Sequence, residues 1–389
     1  MTTRRFGLLA LAWLQGCLFS MGSPVDFRVR LGPAAQWRFA FASCHDYIPE
    51  NFTSSGTSAG VEHFDWSVVS NRTPDALIWG GDIVYGDFPK QMGWLPWPLT
   101  LFLPEVPTSS PPFQSATGEK LRQLYGALKS DAAYADLLNG LGGGNPCPGC
   151  HYGTWDDHDF GLNDGDRNFP HREASKEAFL VFFDAPPSDP RRKRGGVYSS
   201  TLFTQNDQEG ANNGEYGGVL VIALDLRYFK DPYDQPNGDF MGEEQWQWLD
   251  ATLKGSNARA HVFVSSIQLL VEGRASVGEF WEDFPHSRER FLRLLAEHRV
   301  KAPLIVSGDV HFAEVAVAHC GGVGDEIAAA GDSAKPSQLV ELTTSGLTHA
   351  WRVLVVAQRL YDSSMAWAHV CSFSVSSFSA VELVLNFNN

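Results

Sequence analysis

Cysteine is scarce, with six residues in a chain of 389. That density rules out a small disulfide scaffold, so the positions of the cysteines matter more than their number. Basic residues are also in deficit: 30 Lys and Arg stand against 45 Asp and Glu, a formal net charge of −15. Such a balance argues against sequence-independent nucleic-acid binding, which runs on basic surface. Charged residues make up only 19% and hydrophobic residues 43%, so a sizeable core can form and disorder cannot dominate. Beyond the N-terminus no apolar run approaches the ~20 residues that span a bilayer. Internal repeats and low-complexity linkers are absent. Aromatic residues, by contrast, are plentiful at 12%, including 12 Trp, which predicts deep packing and pockets.

The N-terminal segment reads as a targeting sequence. Arg4 and Arg5 precede an apolar run over 6–19, and no acid occurs before Asp26. Small residues at Ser20 and Gly22 place a cleavage site near Gly22, so residues 1–22 are expected to be a signal peptide. An uncleaved membrane anchor is the alternative. Secretion, to the extracellular space or the secretory-pathway lumen, predicts an oxidising compartment. Sequons at Asn51 and Asn71 fit a glycoprotein, although Pro74 weakens the second.

Short apolar runs then alternate with helical periodicity. Strands are expected over 37–43, 76–81, 218–225, 261–265, 304–308 and 338–343, with an antiparallel pair over 371–385. Helical spacing covers 119–138, 174–183, 243–253 and 288–300. Strands alternating with helices, with antiparallel strands late, predict a mixed α/β sandwich in one domain. The segment 88–118 is rich in Pro and Trp, and a loop of that length is usually functional. The basic run 191–194 (RRKR) reads as a solvated loop, with a protease-processing site as the weaker alternative.

Several predicted strands end in residues that can bind ions. The strand over 37–43 runs into Cys44, His45 and Asp46. A lone cysteine is more often simply buried. The strand over 76–81 delivers GGDIVYGD at 80–87, with Asp82 beside glycines and Tyr85 three positions on. A Gly-Asp pair also makes ordinary turns. Asp156, Asp157, His158 and Asp159 follow Trp155. Like charges so close repel and raise one another's pKa, and a cation at their centre relieves that. A solvated acidic turn is the plain alternative, against which stand Trp155 and the strand-like 152–154. The strand over 304–308 ends in Asp309 and His311, two apart on an extended stretch. Ligands gathered from strand C-termini are how α/β sheets build sites. Hard oxygen donors suit Ca, Mg or Mn, while a phenolate and a thiolate suit an iron-type ion. A structural zinc site would need a second pair beside Cys147 and Cys150.

Taken together, ASCH at 42–45, GGDIVYGD at 80–87, WDDHDFGLNDG at 155–165 and SGDVHFAE at 307–314 resemble the PhoD-like (alkaline phosphatase D) branch of the calcineurin-like metallophosphoesterases. LDLRYF at 224–229, GEEQWQWL at 242–249 and LTTSGLTH at 342–349 add to the resemblance, which runs over 37–389. It implies a four-layer αββα sandwich of two mixed β-sheets flanked by helices. It implies a secreted phosphoric ester hydrolase acting on phosphomonoesters or phosphodiesters through a metal-activated hydroxide. Carried onto this sequence, Cys44, Asp82, Tyr85 and His311 would hold Fe(III). Asp82 would bridge to a Ca(II) site completed by Asp157 and Asp309, with another divalent metal as the alternative. Asn163 is a further candidate ligand. His158 takes the place of a histidine that contacts substrate and leaving group, and Asp156 orients its neighbours. Arg227 either contacts phosphate or forms a structural salt bridge.

The resemblance also sorts the cysteines. Cys17 leaves with the signal, Cys44 stays free, Cys147 and Cys150 can pair locally, and Cys320 and Cys371 are left as a second bridge. The expected substrate is a small phosphate ester, and nucleic acid is not an expected partner. One rival reading is a phospholipid-directed phosphodiesterase, touching a membrane surface through Trp94, Trp97, Leu99, Leu101, Phe102 and Leu103. The other is a non-catalytic secreted binding protein on the same fold.

Overall fold

The computed structural model describes residues 25–31, 36–46, 64–89, 113–144, 147, 149–205, 218–235, 237–271, 278–319, 338–348 and 380–386. The proposed signal peptide, the sequon at Asn51, most of the 88–118 segment, Cys320 and Cys371 therefore lie outside the described residues. Asn71, the other sequon, is exposed at the end of a short helix.

In chain order the first half carries β1 (Phe27–Leu31), β2 (Gln36–Ala42), α1 (Ser67–Ser70), β3 (Ala76–Gly80), β4 (Phe88–Pro89) and β5 (Phe113–Gln114). Then follow α2 (Gly118–Ser130), α3 (Ala132–Gly140), β6 (His151–Thr154), α4 (Asp157–Phe160) and α5 (Arg172–Phe182). The second half carries β7 (Ser199–Gln205), β8 (Gly218–Ala223), α6 (Gly242–Lys254), β9 (Ala260–Val264) and α7 (Pro285–Glu297). It ends with β10 (Pro303–Ser307), β11 (Glu314–His319), β12 (Gln338–Thr343) and β13 (Ala380–Asn386).

Among the described residues the strands form a larger sheet in the order β1-β7-β8-β9-β10-β12-β11 and a smaller one in the order β13-β2-β3-β6. Within them β8, β9, β10 and β12 run parallel, as do β2, β3 and β6. Parallel strands buried on both faces read as continuous apolar runs, and β3 (ALIWG) and β8 (GVLVIA) are buried at every position. The two sheets pack face to face: Phe39, Phe41 and Ile78 of the smaller meet Phe203, Val219, Val221, Val262 and Val306 of the larger in one core. Helices α2, α3 and α5 close that core on its outer side, through Leu121, Leu124, Tyr134 and Phe179. On the far face of the larger sheet, Trp246 and Leu249 of α6 and Phe291 and Leu295 of α7 cover Leu220, Ile222, Phe263 and Ile305. The result is the expected four-layer αββα sandwich.

Some local readings change. The helical spacing over 119–138 is two helices, because Asp131 turns extended (ψ 126°) between them. Its amide closes α2 on the Leu128 carbonyl, and its carboxylate accepts from the Tyr134 amide at 2.9 Å, capping α3. The RRKR run is not a bare solvated loop. Arg191 pairs with Asp189 at 2.8 Å, Arg192 with Glu177 at 2.7 Å and Arg194 with Asp26 at 3.2 Å. Cys147 and Cys150 are disulfide-bonded, and Cys44 is the free cysteine among the described residues.

Candidate metal centre

The carboxyl ends of the parallel strands converge at one edge of the sandwich. β2 leads to Cys44, β3 to Asp82, β6 to Asp157, β8 to Asp225 and Arg227, β10 to Asp309 and His311, and β12 to Ser345. Backbone bonds lock these ends together: Cys44 N donates to the Gly81 carbonyl at 3.3 Å and Leu347 N to the Ser43 carbonyl at 3.2 Å. The approach between sheets is close. A Cβ at Gly308 would sit 2.1 Å from Ser43 Oγ, which is why glycine precedes Asp309. Cys44, Asp82, Asp309 and His311 all adopt positive φ, between 51° and 70°. Non-glycine residues held there each carry on the order of 1–3 kcal/mol of strain, a condition that concentrates at functional sites.

Four groups of donors result among the described residues; two of them, sharing Asp82, build the centre, and the others bring His158 to Asp82 and Asp157, and Asp164 and Glu279 to Asp157. In the first, Cys44, Asp82 and His311 bring ligand atoms within 4.8 Å of one another. Tyr85 joins them, its hydroxyl 3.1 Å from His311 Nε2 and 3.4 Å from Asp82 Oδ2. In the second, Asp82, Asp157 and Asp309 lie within the same distance, together with Asp156. Asp82 belongs to both. Of the residues singled out in the sequence, Asn163 is placed by its backbone: its amide donates to Asp87 Oδ2 at 2.8 Å.

The electrostatics of this pocket call for cations. Burial, and then Cys44, Asp157 and Asp156, push Asp82 well above the usual carboxylate range against the pull of His158. Burial and the acids Asp156, Asp157 and Glu279 do the same to Asp309. Burial raises the Cys44 thiol to about 11, although Ser345 and Ser43 favour its thiolate. Burial also lifts Asp157, but His158, Arg227, the Asp164 amide and Lys230 outweigh it and hold this carboxyl at about 2. Asp157 Oδ1 is buried with no hydrogen-bond partner among the described residues. A cation between these groups would stabilise the thiolate and carboxylates together and give Asp157 Oδ1 a partner. The donor set fits: a thiol, a phenol and an imidazole on one side, hard carboxylate oxygens on the other.

Several functional residues carried no assigned role in the sequence. Ser345 accepts from the His311 amide at 2.7 Å and lies 2.9 Å from Cys44 Sγ, so its hydroxyl hydrogen can point at the sulfur. Its signal was the LTTSGLTH motif. Asp87, the last residue of GGDIVYGD, meets His158 Nδ1 at 2.7 Å. The His158 ring stacks on Tyr85 at 4.1 Å. Burial disfavours a charged His158, but Asp157, Asp87 and Asp82 outweigh it and raise its pKa well above the ordinary value. Asp159 is fully buried and accepts from the Asp156 amide at 2.6 Å and the Ile83 amide at 3.1 Å, stitching the DDHD turn to the Asp82 loop. Arg227 is 0% exposed, its guanidinium ion-paired to Asp156 at 2.5 Å and bonded to Glu279. Of the two readings of Arg227, this burial and pairing fit the salt bridge. Glu279 had no sequence signal at all.

The chain is similar to a known phosphatase. The curated alkaline phosphatase D of Bacillus subtilis (strain 168) is 26% identical over 178 residues, 41% of this chain and 30% of the relative. A solved structure of PhoD superposes with a TM-score of 0.51 at 21% identity, covering 82% of this chain and 58% of that one. A purple acid phosphatase from yellow lupin (Lupinus luteus) seeds follows at 12% identity and a TM-score of 0.46, covering 90% of this chain and 49% of that one. The matches thus span under two thirds of the length of these relatives. The PhoD-like phosphatase family profile, however, matches residues 39–353 and so takes in every strand end that builds the centre, and the chain belongs to that family.

Proposed function

We propose that this chain is a secreted, metal-dependent phosphoesterase that hydrolyses small phosphomonoesters or phosphodiesters. The observation that carries the reading is the convergence of Cys44, Tyr85 and His311 on one side of Asp82 and of Asp157 and Asp309 on the other. In this reading Cys44, Asp82, Tyr85 and His311 hold Fe(III). Asp82, Asp157 and Asp309 hold Ca(II), with Asn163 as a further ligand. Cations held there would supply a water of lowered pKa and offset charge on the phosphoryl oxygens. The remaining chemistry belongs to the chain. Asp87 accepts a hydrogen bond from His158 Nδ1, which leaves the Nε2 proton free to be donated to the leaving oxygen. Stacking on Tyr85 fixes the plane of that imidazole. Ser345 orients the Cys44 sulfur and the His311 backbone at once. The acidic balance of −15 disfavours polyanionic substrates at the general surface, so a small ester is preferred.

The test is a panel of phosphomonoesters and phosphodiesters run with elemental analysis of the purified chain, beside Asp82→Asn. Turnover with iron and calcium bound is expected from the native chain, and loss of both turnover and metal from the variant. An Asp82→Asn variant that keeps metal and turns over would defeat the assignment. A native chain that is inert with metal bound would favour a binding protein on this fold.

A further inference from the structure

The two carboxylates assigned to the second cation come from different sheets. Asp157 follows β6 of the smaller sheet and Asp309 follows β10 of the larger. A cation site is only as good as the spacing of its ligands, so something must hold the two sides in register. The loop after β8 supplies it. Arg227 Nε donates to Asp156 Oδ1 at 2.6 Å, and Asp156 is chain neighbour to Asp157. On its other side Arg227 Nη1 donates to Glu279 Oε2. The Glu279 carboxylate is held a second time by Lys230 and a third time by the Tyr233 hydroxyl. The Glu279 backbone amide in turn donates to Asp309 Oδ2 at 3.0 Å. Gly278 has φ +93°, and a Cβ there would lie 2.4 Å from the same oxygen, so the Asp309 carboxylate rests directly against the 278–279 peptide.

The connections are specific and dry. Arg227 and Lys230 are 0% exposed and Glu279 is 4% exposed. Lys230 also donates to the Asp164 carbonyl at 2.8 Å, and the Asp164 amide donates to Asp157 Oδ2 at 2.8 Å. A parallel path therefore runs Glu279–Lys230–Asp164–Asp157. Both routes join the residues around one ligand to the amide that pins the other. The base of the assembly is rigid, because Asp225 Oδ1 accepts from the Arg227 amide at 2.9 Å and from Trp155 Nε1 at 2.8 Å.

We propose that Arg227, Lys230 and Glu279, with Tyr233 at the rim, are positioning residues that set the spacing of Asp157 and Asp309 and thereby the affinity of the second cation site. The proposal rests on the metal assignment above and deepens it. The strut bears on the calcium side: its hydrogen bonds run to Asp156, to the Asp164 carbonyl beside Asp157 and to Asp309.

The experiment is calcium titration by calorimetry of the chelator-treated full-length chain, with iron content measured on the same samples. Glu279→Gln keeps the volume and the backbone amide but removes the charge that Arg227 and Lys230 hold. Calcium affinity should fall roughly 10–100-fold, the range seen when a group behind a metal ligand is removed, while iron stoichiometry stays at the native value. Tyr233→Phe acts at a side 47% exposed to solvent, so it should fold even where Glu279→Gln fails, and should weaken calcium by a smaller factor in the same direction. Native calcium affinity in Tyr233→Phe and in a folded Glu279→Gln overturns the strut and leaves the metal assignment standing. Parallel loss of iron and calcium in a folded Glu279→Gln also overturns it, since a strut on one site should spare the other. A native chain that binds neither metal overturns both readings.

Discussion

Replacing Asp87 by Asn tests the proton donor without substituting a proposed metal ligand. Asp87 is 4% exposed and accepts from His158 Nδ1 at 2.7 Å and from the Asn163 amide at 2.8 Å. Asparagine preserves the shape, but one of its two polar atoms is now a donor facing a donor. If the amide nitrogen turns to His158, Nδ1 must lose its proton to accept; if it turns to Asn163, the carboxylate charge is still gone. A hydrogen bond to a charged group is worth about 1.5–3 kcal/mol. At 1.36 kcal/mol per unit, that lowers the His158 pKa by about 1–2 units. The sign follows from the raised pKa of His158. A protonated acid is needed for turnover and is lost as pH rises through its pKa, so the alkaline limb of the pH–rate profile should move down by the same ~1–2 units. On the acid side of the new pKa most activity should remain. The assay is kcat/KM against pH for aryl phosphates of graded leaving-group pKa, with circular dichroism as a control for folding. Esters with poor leaving groups should lose most, because they need the proton. An unchanged alkaline limb, or an equal loss for good and poor leaving groups, refutes the assignment of His158 as donor and of Asp87 as its support.

Two further outcomes follow from the packing. Gly308→Ala puts a Cβ 2.1 Å from Ser43 Oγ, and chemical denaturation should find it destabilised by about 1–3 kcal/mol, with partial recovery in Ser43→Ala/Gly308→Ala; equal losses in the single and double variants would deny the clash. Burial, and secondarily Lys129, lowers His151 to about 3, so the folded state binds its proton less readily than the unfolded chain. Its contribution is complete above the ordinary value near 6.5 and is lost as pH falls toward 3, amounting to about 2 kcal/mol lost by pH 5. Thermal melts from pH 7 to pH 5 should be flatter in His151→Gln, and identical slopes would show that His151 is not the sensor.

What the sequence made legible follows from the physics of parallel strands. An interior parallel strand is apolar throughout and ends abruptly at its ligand, so ALIWG before Asp82 and PLIVS before Asp309 could be marked without a structure. β7 (SSTLFTQ) escaped because its first three buried positions are Ser199, Ser200 and Thr201. They look like surface residues until Ser199 Oγ is seen to reach Tyr152 Oη at 3.2 Å, across the sandwich. The break at Asp131 escaped because apolar spacing runs on through Leu128, Tyr134 and Leu137, and the capping bond that ends one helix and starts the next leaves that spacing intact.

The site divides along the same line. Residues at strand ends announce themselves, because a carboxylate or thiol after a buried apolar run has no packing reason to be there. The residues behind them do not. Glu279 lies 52 positions from Arg227, in a segment whose local pattern predicts nothing, and Ser345 lies 301 positions from Cys44, in a motif that marks the segment but not the serine's partner. Arg227 shows the consequence. Its motif marked it as functional, but whether it met phosphate or protein depended on a partner that sequence spacing does not reveal. Once Glu279 is placed, the salt bridge is the reading the geometry favours. A guanidinium with no exposed surface and carboxylates on two sides leaves Asp156 as an unpaired buried charge if it turns to substrate, a loss of about 3–5 kcal/mol when such a pair is broken. The ion pairs that hold Arg227 in place are the same contacts that make it an effective strut between the sheets.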